Sequence, residues 1–265
     1  MRERATRRPR KEPPAFCAVV PAAGSGTRMG GGCRKPMLCL DGAPILLHTL
    51  ARLRAARGCR AIVLAVHPDD LAFCRDCWGA ALAERFGVRA IVPGGAVRQE
   101  SVLAALEATD PDTPLALIHD AVRPLVRLDL VEAVAARAAE RGAAIAAVPS
   151  VATIKEVDGS GRIVATPPRE RLWMAQTPQG FDRGLILSAH RAAVEHGLTG
   201  TDDALLVEQF GREVVVVEDS PDNIKITTPE DLAVAEAILT WQRQKGVRGA
   251  DVPIPGPDVF EPYRQ

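Results

Sequence analysis

Short apolar runs punctuate the first 150 residues: FCAVVPAA (16–23), RAIVLAV (60–66), RAIVPG (89–94), LALIHD (115–120) and AAIAAVP (143–149). Each is shorter than an ordinary helix, and its apolar residues run on without alternating with polar ones. That is the pattern of strands buried on both faces. Between and after them lie segments with helical spacing, roughly 44–56, 69–85, 98–108, 127–141 and 183–196. Strands alternating with helices predict an α/β fold, a mostly parallel sheet with helices on both faces.

Two places break the rhythm. Residues 151–171 (VATIKEVDGSGRIVATPPRER) read as two short strands around Asp158-Gly159-Ser160-Gly161, a hairpin signal. The segment has little apolar material to bury alone, so it predicts a β-arm that packs against something else. EVVVVED (213–219) returns the chain to a strand, and Thr228-Pro229-Glu230-Asp231 opens a last helix with a hydroxyl, a proline and an acid in its first turn. The first fourteen residues, MRERATRRPRKEPP, are charged and aperiodic and read as a disordered leader. GVRGADVPIPGPDVFEPYRQ (246–265) is rich in Gly and Pro and reads as a loose tail, too short for a second enzyme. One domain is therefore expected over 15–245.

Charge narrows the function. Lys+Arg and Asp+Glu are equal at 33 each in 265 residues, so the chain lacks the basic excess of a nucleic-acid or membrane-surface binder. No apolar run spans a bilayer and no signal peptide precedes the first strand, which predicts a soluble, cytoplasmic protein. The six cysteines form no repeating framework. Cys74-Arg-Asp-Cys77 has half the spacing of a zinc site without a second pair, so ordinary reduced thiols are expected.

An anion site must then be local, and one stretch concentrates the means. PAAGSGTRMGGGCRKPM (21–37) holds five glycines, two arginines and a lysine without a carboxylate. Glycines such as Gly24 and Gly26 let successive N–H groups converge on a ligand, and Arg28 and Lys35 add full charges that neutralise phosphates. The spacing is neither a Walker loop nor a Gly-x-Gly-x-x-Gly turn. It points to nucleotidyl transfer. At the end of the strand 115–118, Asp120 sits where ligands bind in open α/β sheets and is a candidate Mg²⁺ ligand, with Arg123 as a second anion grip. His119 is assigned to packing or a local hydrogen bond. In GGAVRQES (94–101), Gly94 and Gly95 follow a strand and Ser101 lies in the first helical turn, an arrangement suited either to reading a base edge or to a plain turn. Lys225 gains a role only if it folds back onto the strand ends beside Asp120.

Taken together, PAAGSGTRM, GGAVRQESV, HDAVRP, RLWMAQTPQGF, TDDALLVE and DNIKITTPEDLAVAE resemble the 2-C-methyl-D-erythritol 4-phosphate cytidylyltransferases. They span roughly 16–240, and part of the signature is shared with the ribitol-5-phosphate cytidylyltransferases. The resemblance implies a nucleotide-diphospho-sugar-transferase-like fold, CTP and a sugar-alcohol phosphate as substrates, Mg²⁺, and a homodimer joined through the arm. It also implies roles. Arg28, Lys35 and Lys225 fall on catalytic cations, and Ala22, Ala23, Gly24, Gly26, Gly94, Gly95 and Ser101 on the nucleotide pocket. Asp120 falls on the metal- and substrate-contacting acid. Arg123, Thr153, Arg169 and Thr177 fall on acceptor contacts, Thr153 and Arg169 reaching from the arm into the partner subunit.

Three departures stand out. Lys35-Pro36-Met37 lacks the family's aromatic, Ala152-Thr153-Ile154-Lys155 lacks an acid, and Thr166-Pro167-Pro168-Arg169 lacks another. All fall beside the triphosphate grip or on the acceptor side. The alternatives they leave are a different polyol-phosphate acceptor, such as ribitol 5-phosphate, and a nucleotide-binding homologue without turnover.

Overall fold

Alternate residues of the first strand, β1 (Phe16–Ala22), face opposite layers of the molecule. Phe16, Ala18 and Val20 join one buried cluster and Cys17 and Val19 join another. Both faces are dry, which is why the run reads as continuously apolar. The computed structural model describes residues 12–24, 34–256 and 260. Gly26, Arg28 and Cys33 lie outside the described residues, as do 1–11, 257–259 and 261–265.

Downstream of β1 come a small hairpin, β2 (Cys39–Leu40) and β3 (Ala43–Pro44), then helix α1 (Ile45–Ala55) and β4 (Cys59–Val66). The expected helix 69–85 is two, α2 (Leu71–Asp76) and α3 (Gly79–Phe86), parted at the fully buried Trp78. β5 (Val88–Pro93), α4 (Arg98–Glu107), β6 (Leu115–Ile118), α5 (Leu128–Arg141) and β7 (Ala143–Pro149) complete the alternating half. The arm follows as β8 (Glu156–Val157) and β9 (Ile163–Ala165), then β10 (Trp173–Asp182), α6 (Arg183–Glu195), α7 (Asp203–Gln209), β11 (Val215–Glu218) and α8 (Pro229–Gln244).

Among the described residues the main sheet has seven strands in the order β11–β7–β10–β6–β1–β4–β5. All neighbours run parallel except β10, which lies antiparallel between β6 and β7. The sequence pattern shows no strand at 173–182, and Pro178 lacks the amide that a central strand uses. The structure accommodates the proline by a bulge. Ala175 pairs with Ala147 and Gln179 with Ile145, so the residues between them leave the ladder toward β7.

Helices α1, α3 and α5 cover one face of the sheet and α4, α6 and α7 the other. From β1 the chain passes to β4 on one side and later to β6 on the other. Ligand crevices form at such a switch, outside the carboxyl ends of the strands. The arm closes as expected: the Asp158 carboxylate accepts from the Ser160 amide at 3.0 Å and the Arg162 side chain at 2.9 Å, and Gly161 takes φ +84.

The described part of 246–265 is not the loose tail its composition predicts. Arg248 pairs with Glu132 of α5 at 2.8 Å, and Phe260 is buried with its ring centre 5.4 Å from Trp78 and 5.8 Å from Phe86. Glycine and proline exclude a helix or strand there, but they do not stop Val252, Ile254 and Phe260 from burying apolar surface against the α1–α3–α5 layer.

Candidate active site

The carboxyl ends of β1, β5 and β6 meet in a cleft of about 460 Å³. Its floor is backbone. Ala22 and Ala23 leave β1 nearly buried, and Gly24, Lys35, Gly95 and Ser101 stand around the opening. Two of the predicted glycines are required sterically. A Cβ on Gly94 would collide with Ala23 and with the Ser101 side chain, and one on Gly95 would collide with Glu100. Ser101 and Glu100 fix this turn: Ser101 Oγ accepts from the Gly95 amide at 3.1 Å, and the Glu100 carboxylate from the Ala96 amide at 2.7 Å. The cleft wall is thus made of groups that have no room for side chains, as a bound base or ribose needs.

Opposite lies Asp120, just beyond β6 and almost fully buried. Its Oδ2 is 2.9 Å from Lys225 Nζ and 3.7 Å from Arg123 Nε, and its Oδ1 accepts from Arg98 Nε at 3.1 Å. Burial alone would raise this carboxyl, but the charges of Arg98 and Lys225 outweigh it and hold it well below the usual carboxylate range. Lys225 does fold back onto the strand ends. Arg123, lowered by its own burial, also donates to the Asn223 carbonyl at 2.7 Å, tying the β6 end to the segment after β11.

The β10 bulge completes the acid's surroundings. Thr177 Oγ1 accepts from the Asp120 amide at 3.1 Å and lies 3.0 Å from His119 Nδ1. His119 Nε2 is 3.1 Å from the Arg123 carbonyl, which can only accept, so Nε2 carries the proton and Nδ1 takes the Thr177 hydroxyl. Burial lowers the His119 imidazole to about 4. It is a neutral brace, as its sequence context suggested.

Lys35 follows Arg34, whose guanidinium pairs with Asp69 at 2.8 Å and Asp70 at 2.7 Å and anchors this end of the glycine-rich stretch. Thr153 and Arg169 do not line the cleft of their own chain. Both are exposed on the arm, where Arg169 donates to the Val151 carbonyl at 3.2 Å. Arg28 and Gly26 lie outside the described residues.

For a metal, the described residues hold no group of three or more His, Cys, Asp or Glu side chains. Asp120 is the acid at the cleft, and Mg²⁺ commonly takes one carboxylate and completes its shell from phosphate and water. Lys225 stands half-exposed on the Oδ2 side, and a single carboxylate beside a path for phosphates is the donor set that mode uses. Cys74 is buried with its thiol pushed up to about 12 by desolvation, unsuited to metal or redox work.

Arg98 and Asp203 were not singled out in the sequence. A signal existed for Arg98: a cation in the first turn of α4 opposes the helix dipole and calls for an acidic partner. Nothing in GGAVRQES names that partner, which lies 22 and 105 residues downstream as Asp120 and Asp203.

The family model for 2-C-methyl-D-erythritol 4-phosphate cytidylyltransferase matches residues 16–241. A protein of that name from Geobacter metallireducens is 45% identical over 231 residues, covering 85% of this chain and 97% of the relative. Another from Bacillus cytotoxicus is 41% identical, covering 86% of this chain and all of its own. Among solved structures, 4-diphosphocytidyl-2C-methyl-D-erythritol synthase from Anaerococcus prevotii superposes with TM-score 0.75 at 32% identity, over 86% of this chain and 96% of that one. The cytidylyltransferase of Thermus thermophilus gives 0.69 at 35%, over 84% and 98%.

Proposed function

The chain belongs to the 2-C-methyl-D-erythritol 4-phosphate cytidylyltransferase family, and from that premise we propose how its cleft transfers CMP from CTP to the acceptor phosphate. The reaction joins CTP and 2-C-methyl-D-erythritol 4-phosphate into 4-diphosphocytidyl-2-C-methyl-D-erythritol and releases pyrophosphate, a step of isoprenoid biosynthesis.

The observation that carries the proposal is the Asp120 carboxylate, set among Arg98, Arg123 and Lys225 across the cleft from the Gly94–Gly95 turn. The base and ribose lie against Ala22, Ala23, Gly94, Gly95 and Ser101. The triphosphate extends toward Lys35. An oxygen of the acceptor phosphate attacks the α-phosphorus in line, and the bond to the β-phosphate oxygen breaks. The acceptor is already ionised at neutral pH, so no general base is needed, which suits a site where the buried His119 is a neutral brace. What the side chains supply is position and compensating charge. Lys35 and Lys225 face the charge that builds on the α-phosphate and leaving group, Arg123 stands on the acceptor side, and Thr177 acts from behind by holding the Asp120 backbone. Asp120 would hold a Mg²⁺ ion, which supplies charge neutralisation at the phosphate oxygens.

We also propose a homodimer through the arm. Val151, Ile154, Val157, Ile163 and Val164 are all exposed there, an apolar surface that one chain leaves in water. Thr153 and Arg169, absent from their own cleft, then serve the partner's. The described cysteines carry free thiols, which supports a reducing compartment and a cytoplasmic enzyme.

The test is pyrophosphate release with CTP, ATP and UTP against 2-C-methyl-D-erythritol 4-phosphate and ribitol 5-phosphate. Turnover confined to CTP with the methylerythritol acceptor is expected. Faster release with ribitol 5-phosphate would move the acceptor assignment, and nucleotide binding without release from any acceptor would end it.

A further inference from the structure

Arg98 is held from behind as firmly as it holds Asp120. Its Nη2 lies 2.8 Å from Asp203 Oδ2, while its Nε donates to Asp120 Oδ1 at 3.1 Å. Asp203 is almost wholly buried at the start of α7, and its other oxygen is 3.2 Å from Nε2 of the fully buried His190. The α7 terminus is itself pinned to the sheet, because Gln179 Oε1 in β10 accepts from the Asp203 and Ala204 amides at 3.2 and 3.1 Å. A chain of hydrogen bonds thus runs from β10 through a buried acid to the guanidinium, and from there to the cleft.

We propose that Arg98 is the positioning residue of Asp120, a strut that captures Oδ1 and leaves only Oδ2 to Lys225 and the cleft. This rests on the reading of Asp120 as the acid that meets the reacting phosphates. Without the strut, Asp120 is free to swing and offer both oxygens to Lys225 and Arg123, its other two cations. Lys225 would then be drawn into a tighter ion pair and away from the developing charge. The planar fork suits the task, since it grips two carboxylates at a fixed angle, which the single ammonium of a lysine cannot do. Asp203 is the counter-anchor: its charge lets Arg98 sit in a partly buried place at a helix N-terminus that would otherwise disfavour a cation.

The test is a double-mutant cycle on the full chain with Arg98→Lys, Asp120→Asn and the pair, reading kcat and, by calorimetry, CTP affinity. Arg98→Lys keeps a cation for the buried Asp203, so it is the variant that retains the fold, and circular dichroism checks this. We expect kcat to drop about tenfold with CTP affinity within about threefold of the parent, because the strut acts through Asp120. In the Asp120→Asn background, Arg98→Lys should cost less than about twofold further. Equal, additive losses in both backgrounds would overturn the proposal, as would a loss confined to CTP affinity, which would make Arg98 a nucleotide contact. Arg98→Gln repeats the test with a neutral donor and should fall at least as far. Near-normal turnover by Asp120→Asn alone would be a different failure, removing the reading of the site on which the strut depends.

Discussion

The hydroxyl of Thr177 accepts from the amide of Asp120 at 3.1 Å and, with His119 Nδ1 3.0 Å away, donates its own hydrogen bond to the imidazole. Two buried groups therefore depend on one oxygen, so Thr177→Val should cost about 2 kcal/mol of stability as well as activity. Thr177→Ser keeps the oxygen and should retain most of both. Denaturant unfolding beside steady-state kinetics of the two variants checks this, and equal behaviour of Val and Ser would refute the bridging role.

Among the described residues Lys225 is the cation nearest Asp120, and it is partly open to the cleft. Lys225→Ala should lower kcat on the order of a hundredfold, the usual scale for losing one group that meets developing charge. Lys35→Ala should fall by a similar factor. Both should remain folded, since neither side chain is buried in the core. Turnover within twofold of the parent in either variant would remove that lysine from the mechanism.

Gly94 has no room for a methyl group between Ala23 and Ser101. Gly94→Ala must displace the turn that walls the nucleotide side, so KM for CTP should rise about tenfold or more while KM for the acceptor changes little. Initial rates with each substrate varied in turn separate the two. An unchanged KM for CTP would place the nucleotide elsewhere.

The C-terminal segment should behave as part of the core. Phe260→Ala removes a buried ring and should destabilise by about 3 kcal/mol, the low end for such truncations, without changing KM for either substrate. Thermal unfolding monitored by circular dichroism is the measurement. No shift in Tm would mean that the segment does not stay packed in solution.

Acid should loosen the same anchor. Burial would raise the Glu132 carboxyl, but hydrogen bonds from Arg57 and Arg248 outweigh it and hold it at about 2 against an ordinary 4.5. The unfolded chain therefore takes up this proton first, and the stability it confers is complete above about 4.5 and disappears as pH falls toward about 2. Glu132→Gln should be less stable at neutral pH and should show a flatter loss across that window. Parallel slopes for parent and variant in urea titrations at several pH values would show that the two arginines do not use this charge.

By itself the sequence determined the layers, the crevice and the chemistry on offer. Continuous apolar runs such as 115–118 can only be strands covered on both sides, and helical spacing between them fixes a parallel sheet. Gly94, Asp120 and Lys35 announce themselves because backbone freedom, a strand-end acid and a cation beside glycines are local properties. The sequence order of the family's motifs then sufficed to identify the reaction. Tertiary structure alone decided which charges meet. Arg98 finds Asp120 and Asp203 across 22 and 105 residues, Lys225 returns to the β6 end, and the proline-bearing strand β10 enters the middle of the sheet by bulging. The tail, condemned by its glycines and prolines to irregular backbone, still buries Phe260. Composition governs local conformation, whereas pairing and burial depend on distances through space that no local pattern encodes.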